Sequence, residues 1–464
     1  METRIVPFDL MTGHDRLPNR QVGNLSLDEE TRAGSYFVSN YPPYSFWGPD
    51  DVGQAMAMLD RPPAAETRLG IYLHIPFCRK RCHFCYFKVY TDKNAAEVEN
   101  YVDALAREIT LYSMKAVARE RRPKFIYFGG GTPSYISSRQ LTRLVGVIKR
   151  LFPWNEVEEV AFECEPGTLT EGKLQTIREL GVTRLSLGIE NFNDEILEAN
   201  GRAHSSKEID RAYGLARSIG FPQINIDLIA GMVGETDDNW QQCVRRATEL
   251  AADSVTIYQM EVPYNTTIFK EMQRSGQSSA PIAGWKRKRE WVRYAFAALE
   301  DAGYTVGSAY TAVKDPDRTR FLYRDLLWAG ADMIGLGVAS FSHVQGVHFQ
   351  NERDFASYCA GIARGVLPLC RAYASIGEER MIREFILQMK LGCVSRQTFQ
   401  EKFGIDIQKR FADELSRLEH DGLAIVNSET VRLSRDGLLQ VDRLLHQFFL
   451  PEHQNDPACG ATLS

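Results

Sequence analysis

No run in this sequence of 464 residues approaches the apolar length needed to cross a membrane, and its first stretch lacks the apolar core of a secretory signal. Neither sign of charge is in excess. The 55 Lys and Arg against 60 Asp and Glu leave −5, which gives no electrostatic case for nucleic acid or an anionic membrane. Cysteine is scarce: nine in so long a chain do not make a disulfide scaffold. These absences point to a soluble cytoplasmic protein with a reducing interior. The apolar content of 44% is that of an ordinary globular chain, long enough for one large barrel and a smaller domain.

Three of the cysteines are concentrated in one stretch, Cys78-Arg-Lys-Arg-Cys82-His-Phe-Cys85, directly after a short apolar run. Thiolates favour iron–sulfur clusters and zinc. A structural zinc usually takes its cysteines as two separated pairs, and no second pair follows here. His83 lies within the same tight loop, so a zinc completed by it is the strained alternative; three unrelated buried cysteines are another. Three thiolates on a cubane leave one iron without a protein ligand, open to a small molecule. Cys78, Cys82 and Cys85 are therefore the candidate metal ligands, for a [4Fe–4S] cluster.

Along the chain, residues 1–65 are rich in Pro, Asn, Gly and Asp and read as an irregular arm. Six aromatics fall between positions 35 and 47, which suits either an arm packed on the core or a strap along a substrate mouth. From residue 69 strands alternate with helices: strands near 70–75, 124–128, 158–163, 184–187, 224–229 and 254–260, with helices between them. Six βα units imply a parallel sheet with helices outside, hence an α/β fold built as a partial (β/α)6 barrel over 66–370. Residues 371–450 read as a small helical, winged-helix-like domain without a basic face, with a helix near 378–390, a hairpin at 423–433 and a last helix over 436–449. Residues 451–464 read as a disordered tail.

Other positions add to the loop. Gly129-Gly130-Gly131-Thr132 follows a strand and precedes a helix, where consecutive glycines let a ligand approach the backbone. Asp227 sits at a strand end within an apolar run; a buried carboxylate there favours a ligand contact. Tyr72 precedes Cys78 by six residues and could flank a cluster or serve as a plain strand aromatic.

The run from Tyr72 to Cys85 resembles the radical S-adenosylmethionine (SAM) superfamily. Within it the likeness is to the oxygen-independent coproporphyrinogen oxidase-like (HemN-like) branch, which includes haem chaperones and class C methylases. The resemblance covers residues 70 to the 430s. It implies a [4Fe–4S] cluster and two molecules of SAM, with the glycine motif on the amino group of the first. Glu163 and Arg202 are implied contacts to its ribose and carboxylate, alongside Asp227 and Tyr72. A second SAM is implied between Ala230-Gly231 and the small residues Gly335, Gly337, Val338 and Ala339, although small residues serve packing equally well. The oxidases carry a fourth cysteine where this chain has Phe87, and Gln where it has Glu190. The segments 85–91, 327–333 and 341–348 look most like class C methylases, and among those like the cyclopropane-forming enzymes of the CC-1065 and yatakemycin type.

The favoured expectation is thus a two-SAM enzyme of methylene or methyl transfer to an sp² carbon of an aromatic or alkene substrate, with Glu190 as acid/base partner. An electron donor such as flavodoxin or ferredoxin, a methyltransferase-like partner enzyme and a monomeric state go with it. Porphyrinogen decarboxylation and a haem chaperone without turnover are the rivals. Replacing any one of Cys78, Cys82 or Cys85 by Ala is expected to abolish the brown cluster absorbance and SAM cleavage together; full activity in a single variant would remove the cluster assignment.

Overall fold

The computed structural model describes residues 30–34, 37–63, 67–277 and 280–454. Six strands run in parallel in chain order: β1 (Leu69–Ile75), β2 (Pro123–Gly130), β3 (Glu159–Cys164), β4 (Arg184–Glu190), β5 (Gln223–Ala230) and β6 (Ser254–Gln259). Each is buried over nearly its whole length, because helices cover one face and the barrel interior the other. The connecting helices begin where side chains satisfy their free N–H groups. Asn94 with Glu97 and Ser137 with Gln140 form capping boxes, and Thr170 and Thr236 cap two more.

The sheet extends on both sides. Beyond β6 lie β7 (Thr305–Val306) and β8 (Thr311–Val313), antiparallel to it. Beyond β1 comes β9 (Asp332–Leu336), parallel, then an antiparallel wing of β10 (Phe341–Val344), β11 (Val347–Asn351) and β12 (Leu369–Ala374). The result is the α/β partial barrel expected, with a smaller helical domain after it. That domain carries a three-stranded sheet, β13 (Cys393–Ser395), β14 (Ala424–Val426) and β15 (Thr430–Leu433), in the order β13-β15-β14.

Several expectations are corrected. The hairpin near 423–433 gains β13, which a three-residue segment does not announce. The helix expected over 436–449 breaks at Gln440, whose φ of −125° and ψ of 20° leave the helical region. The irregular arm contains a helix, Val52–Leu59, that buries Ala55, Met58 and Leu59. Residues 451–454 are helical rather than tail, and His453 is buried with its Nδ1 2.8 Å from the Tyr41 hydroxyl. Residues 1–29, 35–36 and 455–464 lie outside the described residues. No helix among the described residues is long and apolar enough to cross a membrane.

The arm packs on the core, as the first of its two readings had it. Met333 packs inside the barrel with Tyr72, Phe125 and Tyr323, so the face it marks is the inner one. Register carries that face outward through His343, His348 and Tyr373. Trp47 stacks on His348 with ring centroids 5.1 Å apart, and Tyr44 meets Phe341 edge-on at 5.4 Å. The arm therefore lines the inner face of the wing while Tyr41 is fully buried.

One knot ties arm, barrel and C-terminal domain. Buried Lys390 donates to Val38 O (2.6 Å) and lies 2.7 Å from Asp442 Oδ1, which also accepts from Val38 N (3.0 Å). The Tyr310 hydroxyl donates to the other Asp442 oxygen. Removing one partner of a buried ion pair strands the other, a cost of about 3 kcal/mol. Asp442→Ala is expected to lower stability by about that much in urea denaturation and to admit protease at residues 37–47; unchanged stability would show that the knot contributes nothing.

Candidate active site

The loop leaving β1 has no secondary structure of its own, so its shape depends on what it touches. Cys78 N donates to Tyr90 O and Tyr90 N to Pro76 O, closing the loop on itself. Arg79 forks onto Glu165 at the end of β3 (3.0 and 2.9 Å) and reaches Ala203 O. Burial would raise Glu165, but contacts from His204 and Arg79 outweigh it and hold the carboxyl at about 2. His83 N donates to Asn200 O, and His83 O accepts from Thr267 and Ile268 N. Its ring is occupied too: Nδ1 is 3.0 Å from Ala199 O, and a Cβ on Gly201 would meet the ring at 2.7 Å. His83 is thus a fastener of the loop through both its backbone and its ring.

The three thiols lie near enough to feel one another electrostatically. Burial pushes the Cys78 and Cys85 thiols up, to about 11 and about 12. Two donors address the sulfurs: Thr132 Oγ1 lies 3.4 Å from Cys78 Sγ, and Arg202 Nη1 3.2 Å from Cys82 Sγ.

The strand ends beside this loop carry the other sequence-derived residues. Gly131 N and Thr132 N donate to Ile75 O and Phe77 O, so this stretch grips the loop with its N–H groups. What it can offer an ammonium group is carbonyl oxygen. Side chains do not fit here: a Cβ on Gly131 would meet Pro76 C at 2.9 Å, and Gly130, at φ +112°, would press on the His74 ring at 2.6 Å. Glu163 accepts from the Tyr127 hydroxyl (2.7 Å) and Gly130 N (3.2 Å). Asp227 accepts from Ser186 Oγ (2.8 Å) and Asn225 Nδ2 (2.9 Å), so it has protein partners that the sequence did not announce, and each oxygen keeps a further acceptor position. Tyr72 stacks on Tyr127 at 5.8 Å, with its hydroxyl 3.2 Å from His74 Nδ1.

Arg202 is buried. Its Nη2 donates to Gly188 O (2.6 Å) and lies 3.6 Å from Glu190 Oε1, while its Nε has no partner among the described residues. Glu190 holds φ at +68°, rare for a residue with a side chain, at a bulge in the β4–β5 register. The strained backbone turns the carboxylate toward Arg202. Burial pushes both Glu163 and Glu190 up to about 7.

The residues expected to wall a second SAM are packed against protein. A Cβ on Gly335 would strike Phe341 O at 2.0 Å, and one on Gly337 the Tyr101 hydroxyl at 2.4 Å. Gly337 N donates to buried Glu108, Val338 N to Tyr101, and Ala339 N to Glu352 O. Across the barrel, Ala230 O accepts from Met260 N; Gly231 N donates to Glu235, and its Cα faces the Lys288 stem. Packing accounts for these small residues, and a second ligand would have to lie on the barrel side of them. Reading the sequence missed Tyr127, Arg79 and Glu165, which carry no motif of their own.

The raised carboxyls set the pH response of the protein without SAM. An unfolded Glu releases its proton near pH 4.5, whereas Glu163 and Glu190 hold theirs up to about 7. Between these values the folded state binds more protons, so stability falls as pH rises through that window. Glu163→Gln, which keeps an acceptor for Tyr127, is expected to flatten part of the fall in urea denaturation between pH 5 and 7.5; an identical slope would show that Glu163 is already ionised at pH 5.

Comparison with known proteins accords with this geometry. The Radical SAM superfamily model matches residues 72–247, and the HemN C-terminal domain model residues 377–439. The haem chaperone HemW of Bacillus subtilis is 29% identical over 375 residues, 79% of this chain and 96% of that protein. Oxygen-independent coproporphyrinogen III oxidase of Salmonella typhimurium is 27% identical over 399 residues, 81% and 84% of the two chains. The solved structure of Escherichia coli coproporphyrinogen III oxidase (HemN) superposes with a TM-score of 0.77 at 23% identity, covering 89% of this chain and 96% of that one, a likeness of fold.

These relatives are oxidases and a haem chaperone, which overturns the expected methylene or methyl transfer, the cyclopropane formation and the methyltransferase-like partner. The segments behind that expectation serve packing: Asp332 pairs with buried Arg121, and Phe341 and His348 bear the arm. Three clustered thiols, the orphaned Arg202 Nε and the buried carboxylates all lie within or beside the part of the chain that matches the Radical SAM superfamily, and the HemN C-terminal domain follows it, so the chain is similar to the HemN-like radical SAM proteins over both domains.

Proposed function

We propose that this protein cleaves SAM to start the oxidative decarboxylation of a propionate side chain on a coproporphyrinogen-type substrate. The observation that carries the reading is the set of Arg202, Glu163, Asp227 and Glu190 at the strand ends beside the three-thiol loop. When bound, the cluster and SAM supply an electron and a carbon radical able to remove a hydrogen atom from an unactivated carbon. The chain's own part is to hold and orient. Cys78, Cys82 and Cys85 hold the cluster, and the free Nε of Arg202 suits a carboxylate of SAM. Glu163 and Asp227 offer acceptors to ribose hydroxyls, and the carbonyls of Gly129, Gly130 and Gly131 suit its ammonium. Glu190 acts on Arg202, 3.6 Å away, as a positioning residue. Tyr72 and Tyr127 wall the site against water.

On the substrate, loss of one hydrogen atom from the propionate carbon next to the ring weakens the bond to the carboxylate. Carbon dioxide then leaves, and one electron passes to an external one-electron acceptor, which leaves a vinyl group. A haem chaperone is the second reading, favoured by HemW being matched over 96% of its length.

The two readings separate in one anaerobic assay of the reconstituted protein with SAM, reductant, a one-electron acceptor and coproporphyrinogen III, run beside a titration with haem. Carbon dioxide, 5′-deoxyadenosine and a vinyl-bearing product are expected, without S-adenosylhomocysteine. Stoichiometric haem binding with no SAM consumed and no carbon dioxide released would replace the decarboxylase reading with the chaperone.

A further inference from the structure

Where the arm crosses the top of the wing, aromatic rings and unpaired cations meet. Phe341, Gln350 and Arg371 stand opposite one another on β10, β11 and β12. This rung lies at the end of the sheet where β9 finishes, the end at which the parallel strands deliver the cluster loop and the glycine motif. The Arg371 guanidinium sits 4.5 Å over the Tyr44 ring, and Tyr44 meets Phe341 edge-on at 5.4 Å. Trp47 supports Phe341 from 5.6 Å. Tyr44 and Phe341 nonetheless remain 38% and 42% exposed, large for rings so well supported from behind. Arg353 Nη1 comes within 3.5 Å of the Tyr44 hydroxyl.

Arg353, Arg371 and Lys88 have no carboxylate within ion-pair distance among the described residues, although Lys88 and Arg353 line a depression of about 380 Å³ together with Glu352 and Asp354. The acids nearby are used on backbone. Glu352 accepts from Arg353 N and Asp354 N, and Asp354 caps the helix Phe355–Ala363 through Ser357 N. The rim also touches the cluster loop, since the Tyr90 hydroxyl donates to Arg353 O and Tyr90 O accepts from Cys78 N. Two guanidinium groups that lack an ion-pair partner among the described residues, beside exposed aromatic rings, match a flat molecule that carries carboxylates at its edge.

We propose that Arg353 and Arg371, with Tyr44 and Phe341 as the apolar face, form a carboxylate-recognising subsite that orients the peripheral propionates of a tetrapyrrole at the barrel mouth. This rests on the porphyrinogen reading above. It assigns the arm a role in substrate selection, because Tyr44 both positions Arg371 and presents a ring to the ligand.

The test uses the full chain and three porphyrins differing in carboxylates: coproporphyrin III with four, mesoporphyrin with two and octaethylporphyrin with none. Binding is read by fluorescence, and the melting temperature of each variant reports its folding. Wild type is expected to prefer the ligands in order of carboxylate number. Arg371→Gln and Arg353→Gln are each expected to weaken coproporphyrin III by about tenfold while leaving octaethylporphyrin unchanged, with Arg371→Lys restoring part of the loss. In turnover the loss should appear in KM rather than kcat. Equal binding of all three porphyrins by wild type, or unchanged coproporphyrin III binding in the folded double variant, would overturn the subsite. If carboxylate discrimination is present and lost in the variants while wild type releases no carbon dioxide, the subsite stands and the decarboxylase reading falls.

Discussion

The three-cysteine loop must be rigid without a helix or strand to make it so, and the surrounding barrel meets that constraint. A ligand set for a cluster has to be held in place before the cluster can orient anything else. Here the holding is done by backbone pairs to residues 200, 267 and 268, by the Arg79–Glu165 fork, and by Gly131 and Thr132 N–H groups spent on the loop's carbonyls. The glycines are needed because strand and loop approach to about the width of a backbone; a methyl group at Gly131 would overlap Pro76. Each contact comes from the C-terminal end of a different strand, which is the end where a parallel barrel leaves its loops free to build a site.

Inside that frame the electrostatics are costly and partly offset. Burial raises Glu163, Glu190 and Asp227, and the charge of Asp227 raises both glutamates further. Arg202 opposes this at Glu190, and Arg184, itself ion-paired with Glu159 at 3.0 Å, opposes it at Glu163 and Asp227. An interior with raised carboxyls, a strained φ at Glu190 and an orphaned guanidinium nitrogen is poorly designed for stability alone. It is suited to a ligand that brings a carboxylate and hydroxyl groups of its own.

The arm and the C-terminal domain close the other side. Lys390 and Asp442 join them to Val38 at one point, and Tyr41 with His453 joins them at another. These contacts leave Tyr44, Trp47 and Phe341 along the wing's inner face, where rings and guanidinium groups border the opening. Arm, wing and C-terminal domain come from distant parts of the chain, so the mouth exists only once all three have docked.

Some of this was legible in the chain by itself. The spacing of Cys78, Cys82 and Cys85 marked the candidate ligands, because residues on one short loop are contiguous. The βα alternation set the six parallel strands, because periodicity is a local property. One of the helices expected between the strands runs Ser138–Leu151, where Ser137 and Gln140 mark its start. Local pattern could not reveal that Asp227 already has protein partners, that His83 is a fastener, or that Gly335 and Gly337 are glycine for the sake of Phe341 and Tyr101. A small residue looks the same whether it faces a ligand or a neighbouring backbone, and a carboxylate gives no hint of its partner 41 residues away at Ser186. Likeness in the segments 327–333 and 341–348 misdirected the choice of reaction for the same reason: those residues carry the wing and the arm. The sequence by itself determined the three-cysteine loop and the barrel, which depend on neighbours in the chain; only the tertiary structure decided which polar and small residues remain free for a ligand, because that depends on what packing has already used.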